Sequence, residues 1–148
     1  MSTLVQEVKA AVKAAMRAKQ KERLSALRLV TSEFKRVEVD ERIDVDDARA
    51  LVILDKMTKQ RRDSIAQYEQ AGRDDLVAQE QLEIDILSEF LPEALGEDEL
   101  SQLVADAIAQ SGATSMQEMG SVMGILKPQV QGRADMAQVS RLVKAQLG

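Results

Sequence analysis

Hydrophobic positions recur at intervals of three and four residues along most of the chain, the spacing that places side chains on one face of an α-helix. The first such stretch covers roughly residues 3–19 and the second roughly residues 22–38. Only the short sequence Lys-Gln-Lys separates them. Because helices joined by so short a turn pack against each other, the pattern predicts an antiparallel helical hairpin.

Two further helices are predicted before Pro92. The acidic stretch at residues 39–44 is predicted to be a loop. Asp44 at its end is predicted to cap the third helix, because its carboxylate can accept a hydrogen bond from a free amide of the first turn. This helix is expected to end where Gly72 supplies the left-handed residue that commonly stops helices. The fourth helix is predicted over roughly residues 74–90.

One charged residue interrupts the apolar face of each of these two helices, Arg61 in the third and Glu83 in the fourth. If the two faces pack together, the charges meet as a buried or half-buried ion pair, and removal of one partner would cost roughly 3–5 kcal/mol. The alternative is that Arg61 contacts a ligand. The apolar face predicted for the third helix consists of Leu51, Leu54, Thr58, Ile65 and Tyr68.

A hinge is predicted at residues 91–96, where a proline and a glycine lie close together. It divides the chain into an N-terminal bundle of about four helices, residues 1–92, and a small C-terminal subdomain of three helices, residues 97–148. The expected fold class is therefore all-α.

Capping residues and helix breakers delimit the C-terminal helices. Thr114 and Gln117 have the spacing of a capping box, which predicts the start of the middle helix. Pro128 is predicted to end that helix, because proline cannot donate the hydrogen bond that a helix interior requires. Asp135 followed by Gln138 is a weaker capping signal and predicts the start of the last helix. The apolar face predicted for the middle helix is rich in methionine: Met116, Met119 and Met123.

The composition excludes most catalytic chemistry. The chain has neither cysteine nor histidine, which excludes disulfides, thiolate sites and the commonest general base. It has no phosphate-binding glycine loop. A protein without catalytic residues, metal site or cofactor is therefore favoured. No apolar signal segment begins the chain and no run approaches the ~18 apolar residues of a membrane span, so a cytoplasmic location is expected.

Charge is strongly segregated along the chain. Residues 9–36 contain nine Lys or Arg and two acidic residues, whereas residues 63–106 contain thirteen acidic residues and one Arg. The basic segment is either a solvated face that balances the acidic fourth helix or a surface that follows an RNA backbone, whose phosphates it would contact with release of counterions. With only three aromatic residues in the chain, sequence-specific base stacking is not expected. The candidate RNA-binding residues of this segment are Lys9, Lys13, Arg17, Lys21, Arg28 and Lys35.

The C-terminal subdomain supplies the remaining RNA-binding candidates. Gly120 and Gly124 share one side of the middle helix, where they favour the close crossing of another helix or, alternatively, admit an external sugar-phosphate backbone. Gly132 and Arg133 precede the last helix, whose free amides attract anions. Arg133 is either a phosphate ligand or a solvated side chain. Lys127 completes the set.

Several of these residues resemble the signature of the GatB/YqeY family. The similarity covers nearly the whole chain and is to the free-standing YqeY branch. Its most specific parts are Met-Gly-Ser-Val-Met-Gly at residues 119–124 and Gly-Arg-Ala-Asp at residues 132–135. Ser121 and Gln131 depart from the pattern by replacing common lysines, and Met136 replaces a small residue or proline. The other matching residues are Pro128, Val139, residues 60–64, residues 71–76 and residues 90–92.

The resemblance implies an all-helical accessory protein that binds tRNA or a component of tRNA amidation or aminoacylation. In the B subunit of tRNA-dependent amidotransferase, a similar tail helps hold tRNA while other domains carry the ATP and metal chemistry. Two alternatives remain open: a helical adaptor for an amidotransferase or synthetase protein, and a carbon–nitrogen ligase with glutamine as amide donor. Neither a membrane nor DNA is an expected partner.

Overall fold

The computed structural model describes residues 3–147, which form seven α-helices and one short 3₁₀-helix and contain no strand. The predicted all-α class is therefore confirmed. The chain divides into two compact units with the boundary between Leu91 and Pro92. The helices are α1 (Thr3–Arg17), α2 (Lys21–Glu41), α3 (Asp47–Gln70), α4 (Asp74–Ser88), α5 (Glu97–Ser111), α6 (Met119–Val130) and α7 (Met136–Leu147), with the 3₁₀-helix at Met116–Glu118.

The N-terminal unit, which ends at Leu91, contains α1–α4 packed along their apolar faces. As predicted, α1 and α2 form a hairpin, and α3 packs along α4. A smaller cluster joins α1 and α2 to α4 through Ala15, Ala26, Leu27 and Ile86. The main cluster draws on α1–α4 and includes Val8, Val30, Phe34, Leu54 and Leu87.

The connection between α2 and α3 differs from the prediction. Helix α2 continues to Glu41, so the predicted loop at residues 39–44 begins inside the helix. Asp46, not Asp44, caps α3 by accepting a hydrogen bond from the amide of Arg49 at 2.8 Å. The physical reason is that Val45 is buried in the same cluster as Ala50. These two residues occupy the positions of a hydrophobic staple, which sets the helix start one residue after Val45.

The buried face of α3 is rotated from the predicted one. The predicted Leu54 and Thr58 are buried, but so are Ile53 and Met57. The predicted Leu51, Ile65 and Tyr68 are only half-buried. Ile53 and Met57 have helical spacing, as the predicted residues do, and packing against the other helices determines which of them are buried. The predicted stop is confirmed, because Gly72 has a positive φ of 68° directly after this helix.

The C-terminal unit, which begins at Pro92, packs α5, α6 and α7 around one apolar cluster that includes Leu100, Val104, Val122, Leu126, Val139 and Val143. Gly112 ends α5 with φ of 71°, as the sequence predicted. Asp135 directly precedes α7, and its carboxylate accepts a hydrogen bond from the amide of Ala137 at 3.0 Å. The predicted start of the last helix is therefore confirmed.

Two predictions for the start and end of α6 are wrong. The Glu118 carboxylate, not the Gln117 amide, bonds to Thr114, with its Oε1 3.3 Å from the amide nitrogen and 3.2 Å from the hydroxyl. Pro128 does not end α6, which continues to Val130. Val130 is fully buried, and its burial offsets the one hydrogen bond that proline removes.

Candidate nucleic-acid interface

The basic residues predicted on α1 all point away from the core. Lys9, Lys13 and Arg17 are exposed, and their spacing of four residues places them along one side of the helix. Val8 and Ala15 occupy the buried face, and the basic row lies along one edge of that face. At 1.5 Å per residue, the three charges span about 12 Å along the helix axis.

The basic residues predicted on α2 form a second row. Lys21, Arg28 and Lys35 are exposed and lie seven residues apart, so successive charges are about 10 Å apart along one side. The buried face of the helix carries Val30 and Phe34. The hairpin thus presents two rows of positive charge outward from two apolar faces, and the six residues of these rows are called the basic hairpin face.

The ion pairs of the N-terminal unit leave the basic hairpin face free. The side chains of its six residues form no ion pair and no hydrogen bond with any residue in the range 3–147. Two ion pairs near α4 use other cations: Arg23 makes a bidentate contact with Glu89, just after the helix, and Arg61 pairs with Glu83. The side chains of this face are therefore exposed and unpaired within residues 3–147, which is compatible with both the solvated and the RNA-binding interpretation.

The pair between Arg61 and Glu83 confirms the sequence-based interpretation of these two residues. Arg61 Nε lies 3.0 Å from Glu83 Oε2, and the side chains are only 14% and 17% exposed. Arg61 Nη1 also donates to the Met57 carbonyl at 3.1 Å. The nearby Glu80 carboxyl has a raised pKa because it is partly buried and close to the charge of Glu83. Arg61 is thus held within the fold.

Gly120, Gly124 and Lys127 lie on one exposed face of α6, because they are four and three residues apart. The prediction that another helix crosses closely at the glycines is wrong for the part of the chain described. A Cβ atom built at Gly120 or Gly124 would meet no atom within 4 Å. The face is therefore open, and contact with an external backbone remains a prediction.

Arg133 links two segments of the C-terminal unit. Its Nε donates to the Glu93 carbonyl at 3.1 Å, and its own carbonyl accepts from the Leu95 amide at 2.9 Å. Gly132 makes the adjoining turn with φ of 76°. One free amide of the first turn of α7, that of Ala137, already donates to Asp135. Arg133 therefore has a clear structural role, and phosphate binding by it stays a prediction.

Sequence reasoning missed two features of these surfaces. Lys19 is exposed in the hairpin turn with a left-handed φ of 58°, a conformation that lysine rarely adopts and composition does not signal. Met116 is 42% exposed although the helical pattern assigned it to the apolar face. Its position in a 3₁₀-helix, which has three residues per turn, changes the direction of its side chain.

Residues 3–147 contain neither a candidate metal site nor a candidate membrane-spanning helix. No group of three or more acidic side chains there is placed to hold a metal ion. No helix in the same range combines the length and the apolar character needed to cross a membrane.

Comparison with known proteins gives one family and one relative. The model of the family described as YqeY-like protein matches residues 5–147. A curated protein of Pyrenophora tritici-repentis, named altered inheritance of mitochondria protein 41, mitochondrial, is 28% identical over 150 residues. That alignment covers 99% of this chain and 82% of the relative.

Proposed function

Because the chain belongs to the family of YqeY-like proteins, we propose that it is a non-catalytic accessory protein that binds RNA, with tRNA as the expected class. The observation that carries the proposal is the basic hairpin face, whose side chains are exposed and unpaired within residues 3–147. A cytoplasmic location belongs to the same proposal. The fungal relative is named as mitochondrial, so cell fractionation would decide between the two compartments for this chain.

Free side chains favour phosphate binding for a simple energetic reason. Since the six cations have no partner among the described residues, contact with phosphates breaks no internal ion pair, and the release of counterions from RNA drives binding. The chain as a whole carries a net charge of −5, so only a surface of segregated positive charge could attract a polyanion. Phe34 is buried on the opposite side of α2. Contacts to the backbone, without reading of base sequence, are therefore expected.

The α6 face provides a second proposed contact. Gly120 and Gly124 leave space for a sugar-phosphate backbone to approach the helix closely, and Lys127 supplies a positive charge beside them. In this proposal the two compact units act as subdomains, residues 1–92 with four helices and residues 97–148 with three, joined by a hinge at about residues 91–96.

The test is fluorescence anisotropy of the purified full-length chain with labelled bulk tRNA at about 50 mM and about 200 mM salt. The variant Lys13→Glu/Arg17→Glu reverses two charges of the basic hairpin face. Its matched control is Lys59→Glu/Arg62→Glu, which reverses two charges that are also exposed and in the same unit, on α3. Each lost phosphate contact lowers the slope of log K against log salt by about one, so the first variant should lower it by about two.

The control variant should keep the slope of the unaltered protein, although its net charge changes equally. No binding of tRNA at the lower salt concentration would contradict the proposal of RNA binding itself. Equal loss of slope in both variants would show that RNA does not select the basic hairpin face.

A second candidate function is a helical adaptor that docks on an amidotransferase or synthetase protein. It is favoured by the exposure of Met116 and the half-buried positions of Met119 and Met123 beside the open glycines, because methionine side chains adapt to different partners. The adaptor predicts capture of a protein partner that persists at high salt and is lost in Met116→Glu. RNA binding predicts the opposite dependence on salt.

A further inference from the structure

An apolar stripe of α4 is covered along only half of its length. The stripe consists of residues four apart, Ala78, Leu82 and Ile86 in the helix and Phe90 just after its end at Ser88. Its C-terminal half packs against α2, where Ile86 is buried and Phe90 is partly buried in the same cluster. Its N-terminal half is exposed, and Leu82 retains 37% of its accessible surface. Leu82 is thus a large apolar side chain left exposed in line with a buried stripe, at a position that another element can cover.

The exposed half of the stripe lies in a groove between α2 and α4. The groove consists of two adjoining cavities of about 610 and 670 Å³, and both are lined by Leu82 and by Glu22 of α2. Along α4 the groove extends from Asp75 to Glu89, which is about 20 Å or four turns of helix. Its length and its two helical walls suit a third helix laid between them.

The charges around the groove indicate the sign of the charge that a partner would carry. Asp85 accepts a hydrogen bond from the Gln81 amide, not from a cation, and Glu22 has no ion pair with any residue in the range 3–147. Asp75 is paired only with the exposed Arg73. The central part of the groove is thus acidic. Lys19, Lys21 and Arg23 line the part of the groove that adjoins the hairpin turn, where Arg23 is paired with Glu89.

We propose that this groove docks an amphipathic helix of a partner protein. The apolar edge of that helix covers Ala78 and Leu82, and its Lys or Arg side chains face Glu22, Asp75 and Asp85. The negative end of the helix dipole, its C-terminus, lies toward Lys19 and Lys21 at the other end of the groove. The acidic wall repels RNA. The groove shares Lys21 with the basic hairpin face but none of its other five residues, so this proposal does not depend on the proposed RNA function.

The test uses the full-length chain and a labelled helical peptide of about 18 residues with leucine at helical spacing and lysine elsewhere. A second peptide has glutamate in place of every lysine. We compare Leu82→Ser with Leu29→Ser, which makes the same change at an α2 leucine that is 46% exposed and does not line the groove. Since covering a leucine side chain contributes about 1.5 kcal/mol or more, Leu82→Ser should weaken binding of the lysine peptide about tenfold or more.

The glutamate peptide should bind at least tenfold more weakly than the lysine peptide. Leu29→Ser should leave binding unchanged, and Leu82→Ser should leave both the circular dichroism spectrum and tRNA binding unchanged. Equal weakening by the two leucine variants, or equal binding of the two peptides, would overturn the proposal. Sedimentation equilibrium without peptide provides a further check. A dimer of the unaltered protein that Leu82→Ser dissociates would show that a second copy fills the groove and would overturn the assignment of a basic partner.

Discussion

Replacement of Gly124 by alanine is predicted to stabilise the protein. Gly124 lies in the interior of α6, where glycine costs roughly 0.5–1 kcal/mol relative to alanine because the unfolded chain loses more conformational freedom. A Cβ atom at this position meets no atom within 4 Å, so it neither clashes nor gains burial. Pro128 has removed the hydrogen bond to the Gly124 carbonyl in both proteins. The whole helix-propensity difference should therefore appear as a gain in free energy of unfolding of about 0.5–1 kcal/mol.

Gly112 provides the matched control for this change. Its surroundings are equally open, but its φ of 71° is left-handed, and an alanine there costs roughly 1–2 kcal/mol. Urea denaturation followed by circular dichroism should thus give a higher midpoint for Gly124→Ala and a lower midpoint for Gly112→Ala. A lower midpoint for Gly124→Ala would refute the reasoning, because it would mean that the glycine face is covered in solution. A more stable Gly124→Ala that binds tRNA or a partner more weakly would show that the glycine serves a contact.

Two further predictions concern the charged residues between α3 and α4. Arg61→Ala should lower the free energy of unfolding by about 2–4 kcal/mol, because Glu83 loses its partner while partly buried. Glu83→Gln should lower the free energy of unfolding by less than Arg61→Ala, since the amide oxygen can still accept from Arg61 Nε. Equal losses of stability for the two variants in urea denaturation would contradict this prediction. Glu80→Gln should raise stability at neutral pH, because the raised pKa of Glu80 means that its ionised form is disfavoured in the folded state. That gain should shrink as the pH falls through the raised pKa and vanish below the ordinary value of 4.5; thermal denaturation at pH 7 and pH 4 checks the sign.

Helix positions in this fold follow from the sequence, whereas helix ends depend on which residues become buried. The periodicity predicted every α-helix, because amphipathic spacing survives any packing arrangement. The sequence pattern predicts Asp44 as the cap of α3, whereas Asp46 caps it. The difference arises from the burial of Val45, which is a tertiary effect. The predicted end of α6 at Pro128 is wrong because of another tertiary effect: only the packed structure shows that Val130 is buried in the core.

Two features of the candidate surfaces could be predicted from the sequence, and one could not. The exposure of the basic residues on α1 and α2 followed from their places outside the apolar faces of these helices. The pairing of Arg61 with Glu83 followed from two interrupted apolar faces that had to meet. The bond from Arg133 to the Glu93 carbonyl joins residues forty apart, and a side-chain contact to a backbone carbonyl leaves no trace in the identity of the acceptor residue.

The difference between a bond to a side chain and a bond to a backbone carbonyl determines how substitutions should be distributed among members of the family. Arg61 and Glu83 recognise each other through side chains, so these two positions should change together, either both charged or both apolar. Arg133 recognises a carbonyl that every residue possesses, so position 93 can vary freely while position 133 keeps its arginine. The Gly-Arg-Ala-Asp segment can therefore persist through divergence for the sake of the fold alone, in relatives that bind quite different molecules.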